Sequence, residues 1–244
     1  MAKLIAVLII TGQHGHDWKA STKYFEEFLP KSGMIQVSVT TDPAKDLNPA
    51  LLKKFDVLLW NYRNTDPKYR WGDPADSALL GAVRGGKGLV VYHHASSAFL
   101  EWLEFDRMIA GGWRGQGFHG PRHVFQVTNR RADHPIMRGM PRSFMHENDE
   151  LYQNSVMYPE NVVLATAYSD PNKPEGTGLD EPVIWVKRYG RGRVFVNALG
   201  HDTAAMKGVA FQTLMIRGIE WAATGKVTYP VASELLSERG TLEK

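Results

Sequence analysis

The stretch Gly88-Leu89-Val90-Val91-Tyr92-His93-His94-Ala95-Ser96-Ser97-Ala98-Phe99 decides the fold. Its first five residues are mostly β-branched or aromatic, the composition of a buried strand. The run then breaks into two adjacent histidines and small residues. Apolar positions at Phe99, Leu100, Leu103 and Phe105 predict a helix from about Ser97 to Gly111-Gly112. A strand that turns into a helix leaves its turn at the carboxyl edge of a sheet, where open α/β folds bind ligands. The His-His pair therefore reads as the floor of a site.

The same pattern continues on both sides. Residues 4–10 form an apolar run that reads as a strand covered on both faces. They lead into a glycine-bearing loop with His14 and His16, and then a helix capped by Asp17 and ended by Pro30 and Gly33. Residues 34–40 alternate as a second strand, 46–54 read as a short helix, and 55–60 as a third strand ending in Asn61-Tyr62-Arg63-Asn64. Pro74 opens the next helix and Gly85-Gly86 closes it. Beyond the central stretch, 111–121 is a glycine-rich loop, 122–128 a strand, 134–141 irregular, and 144–152 a mixed polar and aromatic loop. Residues 162–167 form a strand. Residues 182–188 and 193–199 form a hairpin through Tyr189-Gly190-Arg191-Gly192. One long helix, 203–223, closes the pattern. Strands alternating with helices predict a doubly wound, mainly parallel α/β sheet with a late antiparallel hairpin. Residues 1–225 read as one domain. Residues 226–244 read as a tail lying across the surface or on a second subunit, which leaves a homo-oligomer open.

Composition narrows the chemistry. The chain of 244 residues suits one large domain. A net charge of +3 with no dense basic block gives no reason to expect nucleic acid. No apolar run approaches membrane-spanning length, and the first is too short for a signal peptide, so a cytoplasmic protein is expected. There is no cysteine. Disulfides, thiolate ligands and cysteine nucleophiles are excluded, and any metal must rest on His, Asp or Glu.

In a parallel sheet the strand ends share one edge. His14 and His16 follow the first strand, Arg63 and Asn64 the third, His93 and His94 the fourth, and His201 and Asp202 the last. These clusters would converge on one crevice, with Trp113, Arg114, His119, His146, Asp149 and Glu150 added from the loops. His16 and His123 read more simply as capping or surface groups, and Asp202 as a helix cap. Ser96 beside His201 leaves a serine hydrolase as an alternative, although no G-x-S-x-G elbow is present.

His-His-Ala-Ser-Ser-Ala-Phe at 93–99, Asp149-Glu150-Leu151-Tyr152, Pro182-Val183-Ile184-Trp185 and Gly190-Arg191-Gly192-Arg193-Val194-Phe195, with Ala198-Leu199-Gly200-His201-Asp202 after it, together resemble the ThuA-like, trehalose-utilisation family. The resemblance runs over about residues 3–225. It implies a flavodoxin-like three-layer α/β sandwich similar to the class I glutamine amidotransferases. His93-His94 would stand at the elbow those enzymes give to cysteine, and amidotransfer is ruled out. It also implies bacterial sugar catabolism linked to 3-keto sugars.

The expected function is an enzyme that cleaves or isomerises a disaccharide or 3-keto-glycoside. His94 and His201 are the expected proton-transfer pair, with Glu150 as carboxylate partner. His14, His93, Arg63, Asn64, Ser96, Trp113, His119, His146 and Asp202 are the expected substrate contacts, and Trp18, Tyr62, Trp71 and Trp113 the sugar platforms. If a divalent metal, zinc or manganese, takes part, His93, His94 and His201 are its candidate ligands. The competing expectation is a sugar-binding module without turnover.

Overall fold

The computed structural model describes residues 3–13, 15–64, 66 and 68–237. Nine strands form one sheet: β1 (Ile5–Ile10), β2 (Ile35–Thr40), β3 (Val57–Trp60), β4 (Gly88–Tyr92), β5 (His123–Asn129), β6 (Ser143–Asp149), β7 (Val162–Tyr168), β8 (Asp180–Tyr189) and β9 (Gly192–Asn197). Their order is β2-β1-β3-β4-β9-β8-β7-β5-β6. The first five run parallel, in the flavodoxin-type arrangement. The β8–β9 hairpin then reverses direction, and β7, β5 and β6 continue antiparallel.

Strand alternation divides the core between two faces. Ile5, Val7 and Ile9 of β1 pack towards helix α1 (Trp18–Phe28), while Ala6, Leu8 and Ile10 pack on the opposite side. That second side is covered by α2 (Ala75–Arg84) and α3 (Leu103–Ile109), and the first also by α4 (Val209–Thr224). Each large apolar side chain so covered contributes about 1.5–3 kcal/mol, which makes the three-layer sandwich a rigid frame for the strand ends. Gly218 lets α4 sit on the sheet, because a Cβ there would lie 2.2 Å from Phe195.

Four local expectations are corrected. The helix expected from Ser97 begins only at Leu103; residues His93–Ser97 make a 3-10 turn instead. The 46–54 helix is two single turns, Pro43–Asp46 and Pro49–Leu52, separated by Leu47 and Asn48. The 203–223 helix is broken after Met206, with α4 starting at Val209 beyond Gly208. Most of the expected 144–152 loop is β6, an edge strand.

That edge strand has a notable position. Four strand spacings separate β6 from β9, about 19 Å in a flat sheet. Yet the Gly200 amide, just past β9, donates to the Asp149 carboxylate at the end of β6 over 2.6 Å. The antiparallel half therefore curls around α4, whose Phe211, Leu214 and Met215 join Phe125, Val127 and Phe144 in one core.

Candidate functional site

The curl delivers Glu150 to the carboxyl edge of the parallel strands. Its Oε2 lies 3.0 Å from His201 Nδ1, 3.5 Å from His93 Nε2 and 3.7 Å from His16 Nε2. Its Oε1 lies 3.5 Å from His119 Nε2. Four imidazoles from four segments thus surround one carboxylate. Beside it opens a cleft of about 420 Å³ lined by Gly15, His16, Asp17, Ala20, Glu150, His201, Asp202 and Thr203.

Each member is held by its backbone. His93 occupies the left-handed region at φ 46°, a conformation that costs an ordinary residue about 1–2 kcal/mol. The turn aims its Nδ1–H at the Ala198 carbonyl, 2.8 Å away. That bond fixes the tautomer and leaves Nε2 as the acceptor, which the Tyr152 hydroxyl meets at 2.9 Å. His119 is fixed in the same way by the Gly120 carbonyl, leaving its Nε2 towards Glu150. Asp149 receives the amides of Glu150, Gly200 and His201 and the Nε2–H of His146. One buried carboxylate thereby sets the spacing of Glu150 and His201.

Electrostatics follow from this packing. Burial pushes the Glu150 carboxyl up, but the imidazoles of His16, His201 and His93 outweigh it and hold the acid well below the usual carboxylate range. Burial likewise opposes ionisation of Asp149, and the His146 hydrogen bond and neighbouring charges bring it down to about 2. The hydrogen bond to Glu150 raises His201, whereas burial lowers His16.

Several expected residues stand elsewhere. His94 is buried and stacks on His16 with ring centroids 3.9 Å apart, and His16 in turn meets His201 at 4.3 Å. His16 thus touches both of the histidines expected to act as a pair. His146 is buried against Phe125 and engaged by Asp149, not exposed to the cleft. Ser96 is fully buried and its hydroxyl bonds no imidazole among the described residues, so the expected Ser96–His201 dyad is not formed. Asn64 is buried and donates to Gln13. Tyr62 and Trp71 belong to the core rather than to a sugar platform. Trp113, half-buried, meets Tyr152 and His119 edge-on. Arg63, also half-buried, reaches to within 2.8 Å of where a Cβ on Gly15 would stand. Asp202 caps the Thr203–Met206 turn and pairs with Arg122 at the cleft rim. His14 lies outside the described residues.

The family profile described as ThuA, trehalose utilisation, matches residues 6–222. The chain belongs to the ThuA family. A ThuA-like protein from Parabacteroides merdae is 32% identical, with a TM-score of 0.85 over 94% of this chain and 93% of its own. A second ThuA-like protein, from Bacteroides uniformis, is 18% identical, with a TM-score of 0.72 over 93% and 96%. A cytoplasmic protein of Salmonella typhimurium shares the fold at 10% identity, with a TM-score of 0.60 over 90% and 99%. No curated protein sequence matches. Membership ties this ThuA chain to sugar metabolism, and no helix among its described residues is long and apolar enough to cross a membrane.

Among the imidazoles of this ThuA-family site, His16 is the one that local sequence pattern hides. A histidine in a glycine loop resembles a surface group. Only its place after the first parallel strand, one position from the Asp17 helix cap, marks it as edge-facing.

Proposed function

We propose that the chain is a cytoplasmic enzyme of sugar breakdown acting on a keto-glycoside, a disaccharide carrying a ring ketone. The observation that supports this reading is the gathering of His16, His93, His119 and His201 around Glu150 beside an open cleft. A ring ketone acidifies the adjacent C–H. Loss of that proton loosens the glycosidic C–O bond one carbon further, and the leaving oxygen takes up a proton. Such a reaction needs an electrophilic contact for the ketone oxygen and a proton carrier nearby. His16 and His201, which line the cleft beside Oε2, form the face that meets the ketone oxygen, with His93 buried behind them. His119, on Oε1 and partly open to solvent, is the proton carrier through its Nε2. Trp113 beside it offers an aromatic face to a sugar ring. The stacked His94 supports His16 from behind. The proton-transfer assignment therefore moves from the His94–His201 pair to His119.

Purified protein incubated with a 3-keto-disaccharide and with its parent disaccharide tests this reading. Chromatography should show cleavage of the keto compound only. Glu150→Gln and His119→Ala should each slow it by about 100-fold or more, the scale of lost acid–base catalysis. Undiminished turnover in both variants, or none in the wild type, would overturn it.

A further inference from the structure

We infer that His16, His93, Glu150 and His201 form a binding site for one divalent transition-metal ion of the zinc class. The four residues each offer a ligand atom, all within 4.8 Å of one another. Donors bound at about 2.0–2.2 Å in a tetrahedron stand about 3.3–3.6 Å apart. The separations from the Glu150 oxygen to the three imidazole nitrogens are 3.0, 3.5 and 3.7 Å, bracketing that edge. Small side-chain adjustments bring all four onto one ion.

Three further features point the same way. The His93 ring donates Nδ1–H to a backbone carbonyl, the outer support that directs the opposite nitrogen to a metal. Asp149 accepts the backbone amides of two donors, Glu150 and His201, so their separation is set before anything binds. Three imidazoles with a single carboxylate suit zinc, and are too rich in nitrogen for magnesium or calcium, which prefer oxygen. His16, Glu150 and His201 line the cleft, so a bound ion faces incoming substrate on that side. Loading exchanges the Tyr152 hydroxyl on His93 Nε2 for the ion.

This deepens the proposed function: the ion supplies the electrophilic contact for the ketone oxygen, and that catalytic consequence rests on the keto-glycoside reading. The binding itself does not. The full chain, stripped with chelator and dialysed, is titrated with zinc alone and with manganese alone by calorimetry, and the metal content of protein purified without chelator is measured. One zinc per chain is expected, with weaker manganese binding. Glu150→Gln and His201→Ala should each lose affinity by more than the roughly 10- to 100-fold typical of an outer-shell partner. His119→Ala, outside the donor set, should bind zinc normally. Melting of each variant without metal confirms that it is folded. If Glu150→Gln does not fold, His201→Ala at the half-exposed rim carries the test alone.

Absence of saturable zinc binding by the wild type would overturn the site, as would binding that both ligand variants leave unchanged. Stoichiometric zinc without turnover of any keto-sugar upholds the site and overturns the enzyme reading. Full turnover by metal-free protein upholds the enzyme reading and overturns the ion's part in it.

Discussion

Asp149 carries more of the site than its position behind Glu150 suggests. It receives three backbone amides and the His146 ring, and it is fully buried. Asp149→Asn keeps the shape but removes the charge and turns an NH2 against one of those donors. Chemical denaturation should show a loss of about 1–3 kcal/mol, the cost of spoiling charged hydrogen bonds in the interior. Zinc affinity should fall with it, because Glu150 and His201 are no longer held in step. A second residue governs acid sensitivity. His134 packs on Trp221 and its Nδ1 accepts the Ile136 amide, an arrangement that requires the neutral ring. Burial first, and then the Arg131 charge, lower its pKa to about 4. Unfolded chains bind a proton near pH 6.5 that the folded chain refuses, so this residue makes stability fall as pH drops from about 6.5 to 4, levelling off below. Denaturation midpoints of His134→Gln should show a shallower decline across that window. An unchanged slope would contradict the assignment.

At the level of elements, the elbow after β4 depends on a cation from another segment. Arg114 pairs with Asp106 and donates to the carbonyls of Ser96, Ala98 and Trp113, all at the turn or beside it. Both charges are buried. Arg114→Met should destabilise the chain by about 3–5 kcal/mol, the usual result of leaving a buried carboxylate alone. Asp106→Asn introduced with it should recover part of that loss, measured as a double-mutant cycle. This clamp explains why the turn was legible in sequence and its continuation was not. Apolar runs ending in His-His mark the strand and its edge, since both follow from local pattern. The delayed start of α3 follows from a guanidinium that holds the intervening carbonyls, and local pattern contains no trace of it. His16 was obscured for a similar reason: its burial comes from His94, His93 and His201, which approach from distant positions. Glu150 was legible as a residue, whereas its strand was not, because Ser143–Asp149 buries polar His146 and Asp149 beside Phe144 and exposes apolar Met145 with Glu147 and Asn148.

For the molecule as a whole, α4 ties two distant segments to the sheet. Arg217 donates to the carbonyls of Pro135, Ile136, Arg138 and Tyr229. Glu220 accepts from Thr228 and from the Tyr229 amide. The first part of the tail is therefore fastened to the domain. Truncation after Gly225 would strand a buried carboxylate, and melting should fall by the equivalent of about 3 kcal/mol or more. Zinc at 100 times its dissociation constant should conversely add about 2.7 kcal/mol.

The curl of the antiparallel strands has a further meaning. The outermost ribbon, β5 and β6, would be the natural first piece to peel from the sheet, yet it brings the carboxylate on which the whole cleft converges. Peeling it away would withdraw Glu150 from the imidazoles before the rest of the fold gives way. If the proposed reaction holds, turnover becomes a gauge of closure: deuterium uptake at the Gly200 and His201 amides should rise in step with any loss of it, because both report whether the far rim of the sheet is docked.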